Sequence, residues 1–154
     1  MSVSRTKIRV RYAETDQMGV VYYANYFVWF EIARVELLRQ TGFDYKRMEV
    51  TDDCCIAVVD ASCRYKAPAR YDDELVLETR VVAMRRSVLK FAYRVFGPQP
   101  DGGPDAGPNG AEALCLLAEG ETTHVVVDRN MRKTVLPEKY LAALEQFMAG
   151  PADA

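Results

Sequence analysis

Histidine and serine are scarce in this 154-residue chain: one histidine, His124, and four serines, Ser2, Ser4, Ser62 and Ser87. A Ser-His-Asp triad would need His124 beside an exposed serine, and no G-x-S-x-G elbow is present. A Cys-His pair would draw on the same His124, which sits in a β-branched stretch and reads as a strand residue hydrogen-bonded locally or at an interface. Cys54, Cys55, Cys63 and Cys115 show no CxxC spacing, so they read as reduced, packed thiols, and no metal site is expected. GxGxxG and Walker patterns are missing, which removes support for dinucleotide and nucleoside-triphosphate chemistry.

Long apolar runs are lacking too. The longest, such as Cys54 to Val59 and Ala113 to Ala118, are six residues, against the roughly 20 that a membrane span requires. Met1 to Arg11 has no apolar core of the signal-peptide kind, so a cytoplasmic location and no membrane partner are expected. Twenty Lys+Arg against 22 Asp+Glu give a net charge of −2, without the basic excess of a nucleic-acid-binding protein. The length suits one domain, residues 1–154, with a sizeable core.

The elements follow from hydrophobic period. Lys7 to Tyr12 alternates as a half-buried strand, and Asp16 and Gly19 then break it as a turn. From about Tyr23 the period becomes helical: Tyr26, Trp29, Phe30, Ala33 and Leu37 share one face, with Phe27, Val28, Ile32 and Val35 on the other side. A helix apolar nearly all round is expected to be buried on most sides. Gly42 suits the left-handed position after its last turn. A helical turn around Tyr45 to Met48 leads to a strand, Cys54 to Tyr65, and Pro68 then forces a bend. Glu74 to Met84 and Val88 to Phe96 read as paired strands across an Arg85-Arg86-Ser87 corner.

Gly97 to Gly110 holds five Gly and four Pro in fourteen residues and reads as a flexible loop. It is no phosphate cradle: it has no Lys or Arg, it carries Asp101 and Asp105, and its prolines remove amide donors. Ala111 to Asp128 gives one long bent strand or two broken at Gly120; a short strand at Lys133 to Leu136, a helix from Pro137-Glu138 to about Met148 and a frayed tail at 150–154 follow. With no βαβ alternation, the fold class is α+β, an antiparallel sheet curled round the central helix.

The chemistry left by elimination is a carboxylate. Glu14 and Asp16 are two apart and would point the same way in an extended segment. Asp16 precedes Gly19, whose missing Cβ lets a ligand approach the backbone. It also stands just ahead of a helix N-terminus, whose free amides can stabilise charge building on a carbonyl oxygen. Asp16 could attack that carbonyl, take a proton from an attacking water, or simply cap the turn. An Asp of ordinary pKa, about 3.9, is a poor base at neutral pH, whereas direct attack needs only the ionised form.

Arg11 to Tyr26, running on through Phe30-Glu31-Ile32-Ala33-Arg34, resembles the signature of hotdog-fold acyl-CoA thioesterases of the 4-hydroxybenzoyl-CoA thioesterase and YbgC type. Tyr65-Lys66-Ala67-Pro68-Ala69, Thr123 to Asp128 and Leu136-Pro137-Glu138 resemble later parts of that family in the right order. The resemblance implies a hotdog fold, with dimers that pair sheets edge to edge and associate to homotetramers. It implies hydrolysis of an acyl-CoA to a free acid and coenzyme A, with coenzyme A as part of the substrate and no separate cofactor. Asp16 falls at the catalytic aspartate, nucleophile or general base, and Tyr23 where the first helix amide polarises the thioester carbonyl. Gly19, Val20 and Tyr22, with Arg85, Arg86 and Ser87 at a corner suited to phosphate oxygens, become candidate substrate contacts. Lys66 and Arg70 are weaker candidates for the same phosphate contacts, such residues being more often plain surface charge. Many YbgC-type relatives carry His where this chain has Tyr23, so a backbone amide role survives and an imidazole role does not. Tyr22, Tyr26, Phe27 and Trp29 fit either an acyl or aryl pocket or plain core. Two rival readings are a hotdog hydratase acting on an enoyl or hydroxyacyl thioester, which would want His124 beside the carboxylate, and a non-catalytic acyl-thioester-binding module.

Overall fold

The computed structural model describes residues 2–99 and 114–150. Strands β1 (Ser4–Arg9), β2 (Cys55–Tyr65), β3 (Glu74–Met84), β4 (Val88–Gly97) and β5 (Cys115–Val127) form one antiparallel sheet in the order β1-β3-β4-β5-β2. Helix α1 (Asn25–Gln40) lies on its inner face, with α2 (Tyr45–Thr51) and α3 (Glu138–Ala149) beyond. This is the hotdog arrangement. The expected loop at 97–110 and tail at 150–154 fall mostly outside the described residues.

Alternation decides which face each strand buries. Leu75, Leu77, Thr79 and Val81 of β3 and Leu89, Phe91, Tyr93 and Val95 of β4 are buried against α1, whose Tyr26, Trp29, Phe30, Ala33 and Leu37 are buried in return. On the outer face a cross-strand row of alternating charge, Arg5, Glu78, Arg94, Glu119 and Arg64, spans all five strands. Neighbouring opposite charges favour that pairing modestly.

Several boundaries differ from expectation. The first strand is Ser4–Arg9 rather than Lys7 to Tyr12, because Tyr12–Glu14 winds into a 3₁₀ turn closed by the Glu14 carboxylate accepting from the Arg11 N–H at 2.8 Å. Of the two readings of 111–128, one long strand or two, the structure shows the single strand, unbroken at Gly120. A Cβ there would stand 2.5 Å from the Ser62 carbonyl and 2.6 Å from the Phe30 ring, so glycine lets α1 press Phe30 onto an unbroken strand. Phe30 also stacks on Tyr93 at 4.2 Å. Lys133 to Leu136 forms no strand; Lys133 makes an isolated bridge to Val127. Nor is α1 buried on most sides. Val28 is 46 % and Ile32 43 % exposed, since one five-stranded sheet covers only one side of the helix. Gly42 is left-handed at φ +96°, as its place after α1 predicted.

The sheet has two edges, β1 and β2. The edge of β2 is the longer, eleven residues, with Val58 and Val59 both exposed. An unpaired strand edge of that length is a template for another strand.

Candidate active site

A tight hairpin precedes α1. Thr15 bridges Val21, the Asp16 N–H donates to the Val20 carbonyl at 2.9 Å, and the Gly19 N–H donates to the Asp16 carbonyl at 3.0 Å. Gly19 holds φ +78°, a left-handed value that glycine adopts without strain. The hairpin is tied to the rest by the Val21 N–H on the Ala69 carbonyl, 2.9 Å, and by the Tyr22 N–H on the Glu14 carbonyl, 2.9 Å.

Glu14 and Asp16 do not point the same way, because the 3₁₀ turn rotates the chain between them. Glu14 is buried at 4 % exposure, accepting from the Trp29 indole at 2.7 Å and facing the Arg11 Nε at 3.4 Å. Burial pushes its carboxyl upward in pKa, but the hydrogen bonds from the Arg11 N–H, Trp29 and the Arg11 guanidinium outweigh that and leave it lowered. Asp16 is half-buried. Its Oδ1 accepts from the Met18 N–H at 2.8 Å, and Oδ2 has no hydrogen-bond partner among the described residues.

Asp16 opens into a cavity of about 560 Å³ together with Val20, Tyr22 and Tyr23 from the hairpin and Tyr26 from α1; Tyr65 to Pro68 form the opposite wall. That volume suits a small-molecule site. Gly19 shapes the hairpin without lining the cavity. The helix begins at Asn25 rather than Tyr23, and its first amides turn back: Asn25, Tyr26 and Phe27 donate to the carbonyls of Tyr22, Tyr23 and Ala24 at 3.0, 3.4 and 3.2 Å. The unused amides therefore lie just ahead of the helix. Among the described residues, the N–H groups of Tyr23 and Ala24 donate to no backbone carbonyl.

Arg85, Arg86 and Ser87 are not brought to this cavity within one chain. They cap the far end of β3, and the eleven residues of that strand at ~3.3 Å each put the corner roughly 30 Å away. There the Arg86 carbonyl accepts from the Leu136 N–H and the Ser87 carbonyl from the Val126 N–H, each at 2.9 Å. Lys66, one of the weaker phosphate candidates, lines the cavity and faces Glu119 at 3.6 Å. Arg70, exposed, follows that wall. Sequence reasoning missed the depth of Glu14 and the place of Tyr65 in the wall; the abrupt end of a strand at Tyr65-Lys66-Ala67-Pro68 was the available signal for the second.

His124 is fully buried, its Nε2 2.8 Å from the Thr122 hydroxyl, and its pKa falls to about 4 through burial and the nearby Arg34 charge. It pairs with Val58, six positions along β5 from the Ala118 that pairs with Tyr65, so roughly 20 Å separates it from the cavity wall. The four cysteines are free thiols, and burial raises Cys54 to about 11. No three His, Cys, Asp or Glu side chains among the described residues are grouped to hold a metal ion. No described helix is long and apolar enough to cross a membrane.

The hotdog sheet and a carboxylate at the mouth of its central helix define a class that the comparisons then name. The thioesterase superfamily model, 4HBT, matches residues 18–102, and the chain belongs to that family of thioester hydrolases. Asp16 lies two residues ahead of that match. YneP of Bacillus subtilis is 33 % identical over 135 residues, 88 % of this chain and 87 % of its own. The acyl-CoA thioester hydrolase YbgC of Escherichia coli O6:H1 is 32 % identical over 143 residues, 92 % and 96 % of the two chains. The DHNA-CoA thioesterase of Staphylococcus aureus superposes with a TM-score of 0.82 at 28 % identity, covering 97 % of this chain and 93 % of that one.

Proposed function

We propose that this thioester hydrolase cleaves acyl-CoA, giving a free acid and coenzyme A, with Asp16 as nucleophile or general base. The observation that carries the reading is the meeting of Asp16 and Tyr23 in one cavity, the Tyr23 N–H donating to no backbone carbonyl among the described residues. The acyl carbonyl sits against the Tyr23 N–H, which stabilises the oxyanion as it forms. Asp16, with one oxygen uncommitted, attacks the carbonyl carbon or draws a proton from water. The thiolate of coenzyme A leaves and is protonated; after direct attack, water then hydrolyses the acyl–Asp16 anhydride, freeing the acid and restoring the carboxylate. Tyr22, Tyr26 and Val20 pack the acyl group.

The Arg85-Arg86-Ser87 corner takes part through a second copy. Antiparallel pairing of β2 with itself brings the Tyr65 end of one strand to the Cys55 end of the other. Cys55 pairs with Val127, and the corner is tied to the adjacent Val126, so a second copy's corner approaches this cavity and its guanidinium groups meet phosphate oxygens. The working unit in this reading is a homodimer in the cytoplasm, assembling further to a homotetramer. His124, distant from Asp16 and fully buried, argues against the hydratase alternative. A thiol-release assay across short, long, branched and aromatic acyl-CoAs tests the reading. Release from at least one is expected; binding without release, or hydration of an enoyl-CoA, would overturn it.

A further inference from the structure

We infer that Tyr65 is a positioning residue for this hydrolysis, its phenol holding the Tyr23 carbonyl and with it the turn whose Tyr23 N–H faces the acyl carbonyl. The inference rests on the thioester reading above. Tyr65 is the last residue of β2, 42 positions from Tyr23, and its hydroxyl donates to the Tyr23 carbonyl at 2.8 Å. That carbonyl's other partner, the Tyr26 N–H, stands at 3.4 Å, beyond the usual range for such a bond. The phenol is therefore the stronger of its two holds.

A peptide is one rigid plane, so anchoring the Tyr23 carbonyl also fixes the direction of the Ala24 N–H. Accepting a hydrogen bond at the oxygen further polarises the N–H across the plane. The Tyr65 ring meets Tyr23 and Tyr26 edge-on, at centroid distances of 6.3 and 5.0 Å. Tyr26 packs in turn on Trp29, the residue that bonds Glu14, so the strand end and both limbs of the hairpin join in one assembly. A phenol of ordinary pKa, about 10, is protonated and so a donor at neutral pH. The side chain belongs to the edge strand, so pairing of a second copy along β2 would bear directly on the turn that holds the carbonyl.

Tyr65→Phe keeps the ring and removes the donor. In the full-length chain, kcat should fall about five- to ten-fold on every acyl-CoA that is hydrolysed, with KM changed by less than about twofold. The ¹H–¹⁵N resonance of Ala24 in the free protein should shift, while the rest of the spectrum reports an intact fold. An unchanged kcat with a raised KM makes Tyr65 a plain cavity wall and overturns the assignment, as does an Ala24 resonance that stays in place. A wild-type chain that releases no thiol overturns the thioester reading itself, before any variant is made, and the assignment with it.

Discussion

Glu14 and Asp16 are the same kind of group at the two ends of one short turn, and the fold treats them oppositely. Glu14 is sealed beneath α1 with both oxygens engaged, by Arg11 and by Trp29. Asp16 faces a cavity with one oxygen held by the Met18 N–H and the other uncommitted among the described residues. A carboxylate that is buried with both oxygens engaged can hold a loop but cannot reach a substrate. One that is half-used is oriented and still reactive. The contrast separates what builds the hairpin from what the hairpin presents, and it can be tested on each side.

The largest effect falls on the Asp16 side. Asp16→Asn is expected to lower kcat for thiol release by about 10²- to 10⁴-fold while the melting temperature stays that of the wild type. Glu14→Gln should do the reverse in kind, costing about 2 kcal/mol of stability in urea unfolding, because donors that now meet a charge would meet a neutral amide. Trp29 is the one tryptophan, so its emission should change in Glu14→Gln and not in Asp16→Asn. The sign with pH follows from the lowered Glu14 carboxyl. The stability it contributes is full above the unfolded value of about 4.3 and is lost as pH falls through the lower folded value, an acid slope that Glu14→Gln should remove. The smallest effect is expected of Gly19→Ala. Its φ of +78° carries a strain of about 1 kcal/mol with a Cβ, so stability and thiol release should both drop modestly while Trp29 emission is unmoved.

Much of the scaffold was legible because it repeats. The pair of strands read at Glu74 to Met84 and Val88 to Phe96 is found, and the stripe from Tyr26 to Leu37 predicted a helix face that the structure buries. Gly120 left one long strand or two open, because a glycine inside a strand pattern can mark a break; here it admits the Phe30 ring and the strand runs on. The second apolar face of α1 misled because apolar content predicts burial without saying whether one chain supplies the cover. In the site, Asp16 and Tyr23 stood out through a contiguous motif. Glu14 did not, since its meaning depends on Trp29, fifteen positions on, and Tyr65 did not, since its partner is 42 positions back. Contacts of that span carry no local signal.

The central claim, that the Asp16 carboxylate drives cleavage of a thioester bound in the cavity beside it, is tested most directly by single-turnover mixing of excess protein with an acyl-CoA the wild type hydrolyses. Wild-type protein should release the thiol in one phase, and Asp16→Asn should hold the intact acyl-CoA with comparable affinity and release almost none. Equal single-turnover rates in the two would contradict it.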